Sequence, residues 1–113
     1  MPGSLRGILV EVSDGNVRNH HVYLREALGF FPKDCVGGSN KSEAASPISL
    51  ELGQERVETD IDGDKAIFRD RGSIRRFFEL ERVSGGDVLF IERLGERSYR
   101  ISKPAKRVLN HYL

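Results

Sequence analysis

The stretch Lys65–Phe78, KAIFRDRGSIRRFF, sets five cations (Lys65, Arg69, Arg71, Arg75 and Arg76) against one anion, Asp70. The whole chain carries a formal net charge of only +1, so this is segregated charge, which gives a nearly neutral protein a face that attracts polyanions. The bland alternative for any basic run is a solvated helix surface with i,i+4 partners. Two phenylalanines close the stretch, Phe77 and Phe78. Their spacing from Ile74 is that of an apolar helix stripe, which assigns them to the core rather than to stacking on bases.

Other chemistries fail on spacing. Asp60, Asp62 and Asp64 stand at relative positions 1, 3 and 5 of a calcium loop, but Lys65 replaces the glycine at position 6 and Arg71 the bidentate glutamate at position 12. Asp60 and Asp62 echo a phosphatase pair, yet that chemistry needs a parallel α/β sheet, which this pattern does not supply. A metal nuclease motif would place an acid two residues before Lys65, where Gly63 stands. His20 and His21 are adjacent and on a strand would point to opposite faces, so they cannot share a metal. Cys35 is the single cysteine and lacks a basic surround that would activate it. No catalytic centre, metal or cofactor is expected.

The elements that must position the basic stretch belong to one small domain, 113 residues long with 38% hydrophobic and 31% charged residues. No apolar run approaches the roughly 20 residues of a membrane span, and a single cysteine rules out an internal disulfide. The expected location is the cytoplasm. Leu5–Val12 reads as a strand, Ser13–Asn16 as a turn, and His20–Arg25 as a second strand. Phe30–Pro47 shows no periodicity and reads as one long loop containing Gly37 and Gly38. Alternation at 48–52 and again at 56–61 reads as a hairpin around Gly53-Gln54. After a turn at Asp62–Asp64, Lys65–Arg69 returns as a short strand. Ser73 is expected to cap a helix with Ile74, Phe77, Phe78 and Val83 on one face. Strands at 88–93 and 98–102 follow, then a short helix begun by Pro104. About seven short strands without helical crossovers predict a mainly β open barrel-like fold with a short internal and a short C-terminal helix.

The order YL…FFPKDCVGGSNKSEA…ISLELG…VETDI…KAIFRDRGSIRRFF…VSGGDVLFIER…YRI resembles the B3-like DNA-binding pseudobarrel of plant B3 transcription factors and of recognition domains in some restriction endonucleases. The resemblance covers about Leu5–Ser102, and the order and spacing of the pieces carry it. It implies a non-catalytic domain that grips the major groove of double-stranded DNA with two loop arms, alone or alongside a nuclease domain or subunit. The N-terminal arm would be Asp34–Glu43, with Gly37, Gly38, Ser39, Asn40 and Lys41 at its tip. The C-terminal arm would be Thr59–Ser73.

In that placement paired glycines let backbone approach the duplex, Asn40 suits adenine, and Arg69 or Arg71 suits guanine. Asp60 or Asp62 would accept from cytosine N4. Lys33, Lys41, Lys65, Arg75 and Arg18 would bind phosphates, which set position without reading sequence. The modest net charge implies moderate, salt-sensitive affinity. The alternative is a β-barrel module whose loop and sheet edge bind a protein or peptide. The DNA reading requires the two arms to lie side by side and their guanidinium groups to be free of internal ion pairs.

Overall fold

The computed structural model describes residues 6–105. Eight strands form two open sheets, with no closed barrel. The larger sheet contains β1 (Gly7–Glu11), β3 (Ile48–Leu52), β4 (Glu55–Thr59), β7 (Val88–Gly95) and β8 (Ser98–Ser102), in the order β1-β7-β8-β3-β4. The smaller sheet joins β2 (Val36–Gly37), β5 (Ile61–Asp62) and β6 (Ile67–Phe68), in the order β2-β5-β6. All pairs are antiparallel except β3 with β8 and β2 with β5. The helices are α1 (Asp14–Asn19) and α2 (Arg71–Leu80).

Strict alternation builds the large sheet. Ile48, Leu50 and Leu52 of β3 are buried with Leu89, Ile91, Tyr99 and Ile101 of the neighbouring strands. The opposite face carries a cross-strand charge ladder. Glu92 registers with Arg100, Arg100 with Glu51, and Glu51 with Arg56, at ion-pair distances of 3.4, 3.7 and 3.6 Å. Each exposed pair contributes about 0–1 kcal/mol, so the ladder secures register more than stability. An aromatic cluster fills one end of the core. Phe31 packs on Tyr99 with centroids 4.8 Å apart, and edge-to-face against Phe30 and Phe68. The Tyr99 hydroxyl donates to the Phe30 carbonyl at 3.1 Å.

Phe77 and Phe78 lie in this core with Ile74 and Val83, as their spacing predicts. The cap of α2 differs from expectation. Asp70 is the N-cap, its Oδ1 accepting from the Ser73 amide at 3.0 Å, while Ser73 sits three residues inside, fully buried. Asp and Ser are both strong caps. With Asp70 as the cap the helix begins at Arg71, three residues earlier than a Ser73 cap would start it, and only Arg69 and Asp70 separate it from the strand that ends at Phe68.

Three further expectations are corrected. Residues 13–16 form not a plain turn but the capping box of α1, with the Asn16 amide donating to Ser13 Oγ and the Ser13 amide to Asn16 Oδ1. His20–Arg25 is not a strand. His20 takes a left-handed conformation that ends α1, and only Tyr23 makes a bridge, to Ile67. The long loop 30–47 is broken into 3-10 turns at 33–35 and 41–43 around the two residues of β2. The expected C-terminal helix falls mostly beyond residue 105, outside the described residues.

Replacing Asp70 by Ala removes the α2 cap and should lower stability by about 1 kcal/mol in urea unfolding. Asp70→Asn should recover most of the loss. Equal stability of Asp70→Ala and the parent chain would show that the cap contributes nothing.

Candidate nucleic-acid interface

Residues 38–41 and 62–71 meet around a cleft of about 360 Å³ lined by Ser39, Lys41, Asp62, Lys65, Arg69 and Arg71, with Ile67 at its floor. Parallel pairing of β2 with β5 brings them together, Val36 opposite Ile61 and Gly37 opposite Asp62. The two expected arms therefore lie side by side.

Arg69 holds them there. Its Nε donates to Asp60 Oδ1 at 2.7 Å and its Nη2 to Asp60 Oδ2 at 3.0 Å. The same Nη2 reaches the Gly38 carbonyl at 2.6 Å, and Nη1 points to the carbonyls of Asn40 and Ser39 at 3.4 and 3.5 Å. Asp60 Oδ2 also accepts from the Ala45 amide at 2.7 Å. One buried carboxylate and one guanidinium thus fasten the 38–45 loop to the strand pair β5-β6. Burial alone would raise the Asp60 pKa, but the Arg69 hydrogen bond, the Ala45 amide and the guanidinium charge outweigh it and hold the carboxyl below its usual range. The Asp60 hydrogen bond likewise raises the Arg69 pKa, against burial.

This placement corrects two sequence expectations. Arg69 is spent on an internal ion pair and on loop carbonyls, so it has no fork left for guanine, and the requirement that the guanidinium groups of the arms be free of internal ion pairs fails for Arg69 and is met by Arg71. Asp60 is 4% exposed and faces Arg69, not a base edge. Gly37 and Gly38 also have internal reasons to be glycine. A Cβ on Gly37 would collide with the Glu43 carbonyl, and one on Gly38 would come within 2.7 Å of the Glu43 carboxylate.

Asp62 is half site and half scaffold. It lines the cleft, yet its Oδ1 closes the turn by accepting from the amides of Asp64 and Lys65 at 3.0 and 3.1 Å. Ala66 completes that turn in the left-handed region with φ 56°. The outcome is a rigid turn that presents Lys65 to solvent. Arg71, first residue of α2, is exposed and donates from Nε and Nη2 to the Asn19 carbonyl at 3.2 and 3.0 Å. That leaves its Nη1 side open to the cleft.

Lys41, Lys65 and Arg71 have no carboxylate within ion-pair distance among the described residues. Asn40 begins the 3-10 turn that carries Lys41, its amide donating to Glu43 Oε1 at 3.1 Å, and its side chain does not line the cleft. Lys33, Arg18 and Arg75 are exposed but also lie outside the lining. Arg76 forms a two-pronged surface pair with Glu55 at 2.6 and 3.1 Å.

His21, which the sequence suggested only as a metal ligand to be excluded, lies near the cleft but outside its lining. Its pKa is lowered first by burial and then by the charges of Arg71, Lys65 and His20. The signal in the sequence was its adjacency to α1, which only the fold brings to Arg71. Cys35 is fully buried, and burial pushes its thiol up to about 11, as expected for an inert cysteine.

No family model and no curated protein matches the chain. Among solved structures, its fold is similar to the N-terminal domain of Helicobacter pylori LlaJI.R1, with a TM-score of 0.56 and 11% identity, covering 96% of this chain and 98% of that one. At that identity the likeness concerns the fold alone.

Arg69→Gln leaves the Asp60 carboxyl buried without its counter-charge and should cost about 3 kcal/mol at pH 7. The pH dependence follows from the sign of each shift. In the parent, the folded pKa lies below the ordinary 3.8, so the pair's contribution is complete above that value and is lost as pH falls through the folded pKa. In the variant the guanidinium is gone and only backbone hydrogen bonds, the Ala45 amide's among them, oppose burial, so the Asp60 pKa rises and protonation relieves the penalty as pH falls. The deficit in urea unfolding should therefore shrink between pH 7 and pH 4. An equal deficit at both would show that Asp60 is not the group left unpaired.

Proposed function

We propose that the chain is a B3-like recognition domain that binds double-stranded DNA with sequence preference, the cleft between residues 38–43 and 60–71 facing the duplex. The carrying observation is that Lys41 from one arm and Lys65 and Arg71 from the other converge on one cleft and form no ion pair with a carboxylate among the described residues. Cations without ion-pair partners supply the sequence-independent attraction to phosphates. Arg71 is the base reader. Its guanidinium is anchored by the Asn19 carbonyl, which fixes its open edge and reduces the entropy lost on binding guanine. Lys41 and Lys65 are phosphate contacts, with Ser39 available to base edges, while Asp62, buried and bonded to turn amides, holds the turn.

The N-terminal domain of Helicobacter pylori LlaJI.R1 shares nearly the full length of this fold. On the proposed reading the chain recognises DNA in the cytoplasm, and a nuclease domain or subunit does the cutting. The two carboxylates nearest the cleft are committed elsewhere, Asp60 to Arg69 and Asp62 to turn amides, which favours recognition without a catalytic step. No helix among the described residues is long and apolar enough to cross a membrane.

Selection from random duplexes at low and physiological salt should enrich a preferred sequence. Arg71→Ala should cost about 1–3 kcal/mol and relax preference at one position. Lys65→Ala and Lys41→Ala should weaken all sequences alike, each flattening the slope of log K against log salt by about 1. Failure to enrich any sequence, together with salt-independent retention, would reject the reading.

His21 gives an independent readout. Phosphates entering the cleft offset the charges of Arg71 and Lys65, so the imidazole pKa should rise on adding duplex, as followed by NMR titration. An unchanged His21 in a bound complex would place the duplex on another surface.

A further inference from the structure

A groove of about 1010 Å³ lies between β1 and residues 23–30, and its lining includes Leu9, Tyr23, Ala27, Phe30 and Arg93. β1 is an edge strand, paired only with β7. Two hydrogen bonds fix which of its backbone groups are used. The Arg93 amide donates to the Arg6 carbonyl at 2.6 Å, and the Val12 amide to the Asp87 carbonyl at 2.9 Å. In an antiparallel ladder hydrogen-bonded positions alternate, so residues 6, 8, 10 and 12 turn toward β7. Gly7, Leu9 and Glu11 turn their amides and carbonyls to the open side, and no backbone partner meets them among the described residues.

Native edges are usually blunted by charged side chains, a proline or a bulge, and GILVE carries one such residue, Glu11 at its end, with none beside Leu9. On the sheet's charged face, Leu9 registers beside Phe90 and is 46% exposed. The Phe90 ring lies across Gly7, where any Cβ would collide with it. The edge therefore ends in an apolar row, Phe90 then Leu9, instead of the alternating charges found further along the same face.

We infer that a second copy of this chain covers this edge, with the two β1 strands pairing antiparallel about Leu9. The pattern is self-complementary in three respects. Pairing about Leu9 sets Leu9 opposite Leu9 and Gly7 opposite Glu11, so every outward backbone group of one strand meets an outward group of the other. It also joins the two apolar rows into one, Phe90–Leu9–Leu9–Phe90, across the two-fold axis, and it keeps the two Glu11 side chains at opposite ends of the seam, whereas parallel pairing in register would stack them on each other. A five-residue seam is small against the roughly 800 Å² per partner of a standard interface, so the dimer is weak and concentration-dependent. This inference is independent of the DNA reading.

Sedimentation of the full chain over a roughly hundredfold concentration range reaching millimolar should show a reversible monomer–dimer equilibrium. Leu9→Lys should raise the dimer dissociation constant at least about tenfold, with circular dichroism and melting temperature unchanged. Leu9→Cys provides a geometric test that survives weak affinity. Hydrogen-bonded antiparallel pairs have Cα atoms about 5.5 Å apart, inside the disulfide range of about 4.4–6.8 Å, and the native Cys35 is buried. Mild oxidation should cross-link Leu9→Cys much faster than Leu94→Cys, an exposed site off this edge. A strict monomer at every concentration, a dimer that persists in Leu9→Lys, or equal cross-linking of the two cysteine variants would overturn the inference. The first outcome would assign the groove to a strand from a different chain.

Discussion

The ion pair between Asp60 and Arg69 is the constraint on which the rest of the candidate interface depends. It lies where a short parallel pair, β2 with β5, would otherwise be the sole link between a glycine-containing loop and the turn that leads to α2. Two parallel residues make a feeble seam. The guanidinium supplies what the seam lacks, because its planar fork can bond both carboxylate oxygens and still reach the carbonyls of the opposite loop. A lysine could not do this from one position. The charge of Asp60 is tolerated at 4% exposure because two donors besides its own backbone, Arg69 and the Ala45 amide, saturate it.

That constraint divides the basic stretch into two populations. Arg69 and Arg76 are structural, one tying the loops and the other bonding Glu55 across to β4. Arg71 and Lys65 remain for a ligand, joined by Lys41 from the other arm. The local charge that draws attention in the sequence is therefore larger than the charge on offer. What makes the cleft suited to a polyanion is that these three cations form no ion pair among the described residues, while Asp62, the carboxylate in the lining, is bonded to turn amides.

Legibility in the sequence followed the range of the interactions. Alternating runs such as ISLEL and the Ile74-Phe77-Phe78 stripe report burial locally, so strands β3, β7 and β8 and the inner face of α2 were readable. The adjacency of the two arms was also correctly expected, through the resemblance and not through any local signal. The roles of Asp60 and Arg69 were not readable. An aspartate in a turn and an arginine in a basic run look like solvent-facing groups until a parallel pairing places Gly38 beside them. His20–Arg25 misled for a related reason. Its β-branched and aromatic residues suggest a strand, but the capping box at Ser13 and Asn16 starts a helix just upstream. The left-handed His20 that ends this helix then leaves room for one bridge, between Tyr23 and Ile67.

The near-neutral charge, which at first argues against a nucleic-acid ligand, is accounted for by where the acids lie. Glu51 and Glu92 are spent in the ladder on the outer face of the large sheet, and Glu55 on Arg76. These carboxylates are neutralised by arginines on the same surface and project little field toward the cleft, since exposed charges more than a Debye length of about 8 Å apart are largely screened at physiological salt. The cleft cations have no such partners. A protein can then be neutral overall and still carry a small directional positive site, at the cost of the long-range steering that a strongly basic domain enjoys. On the proposed DNA reading such a site would favour discrimination between sequences over sheer affinity, because few phosphate contacts leave a larger share of the binding energy to the contacts that read bases.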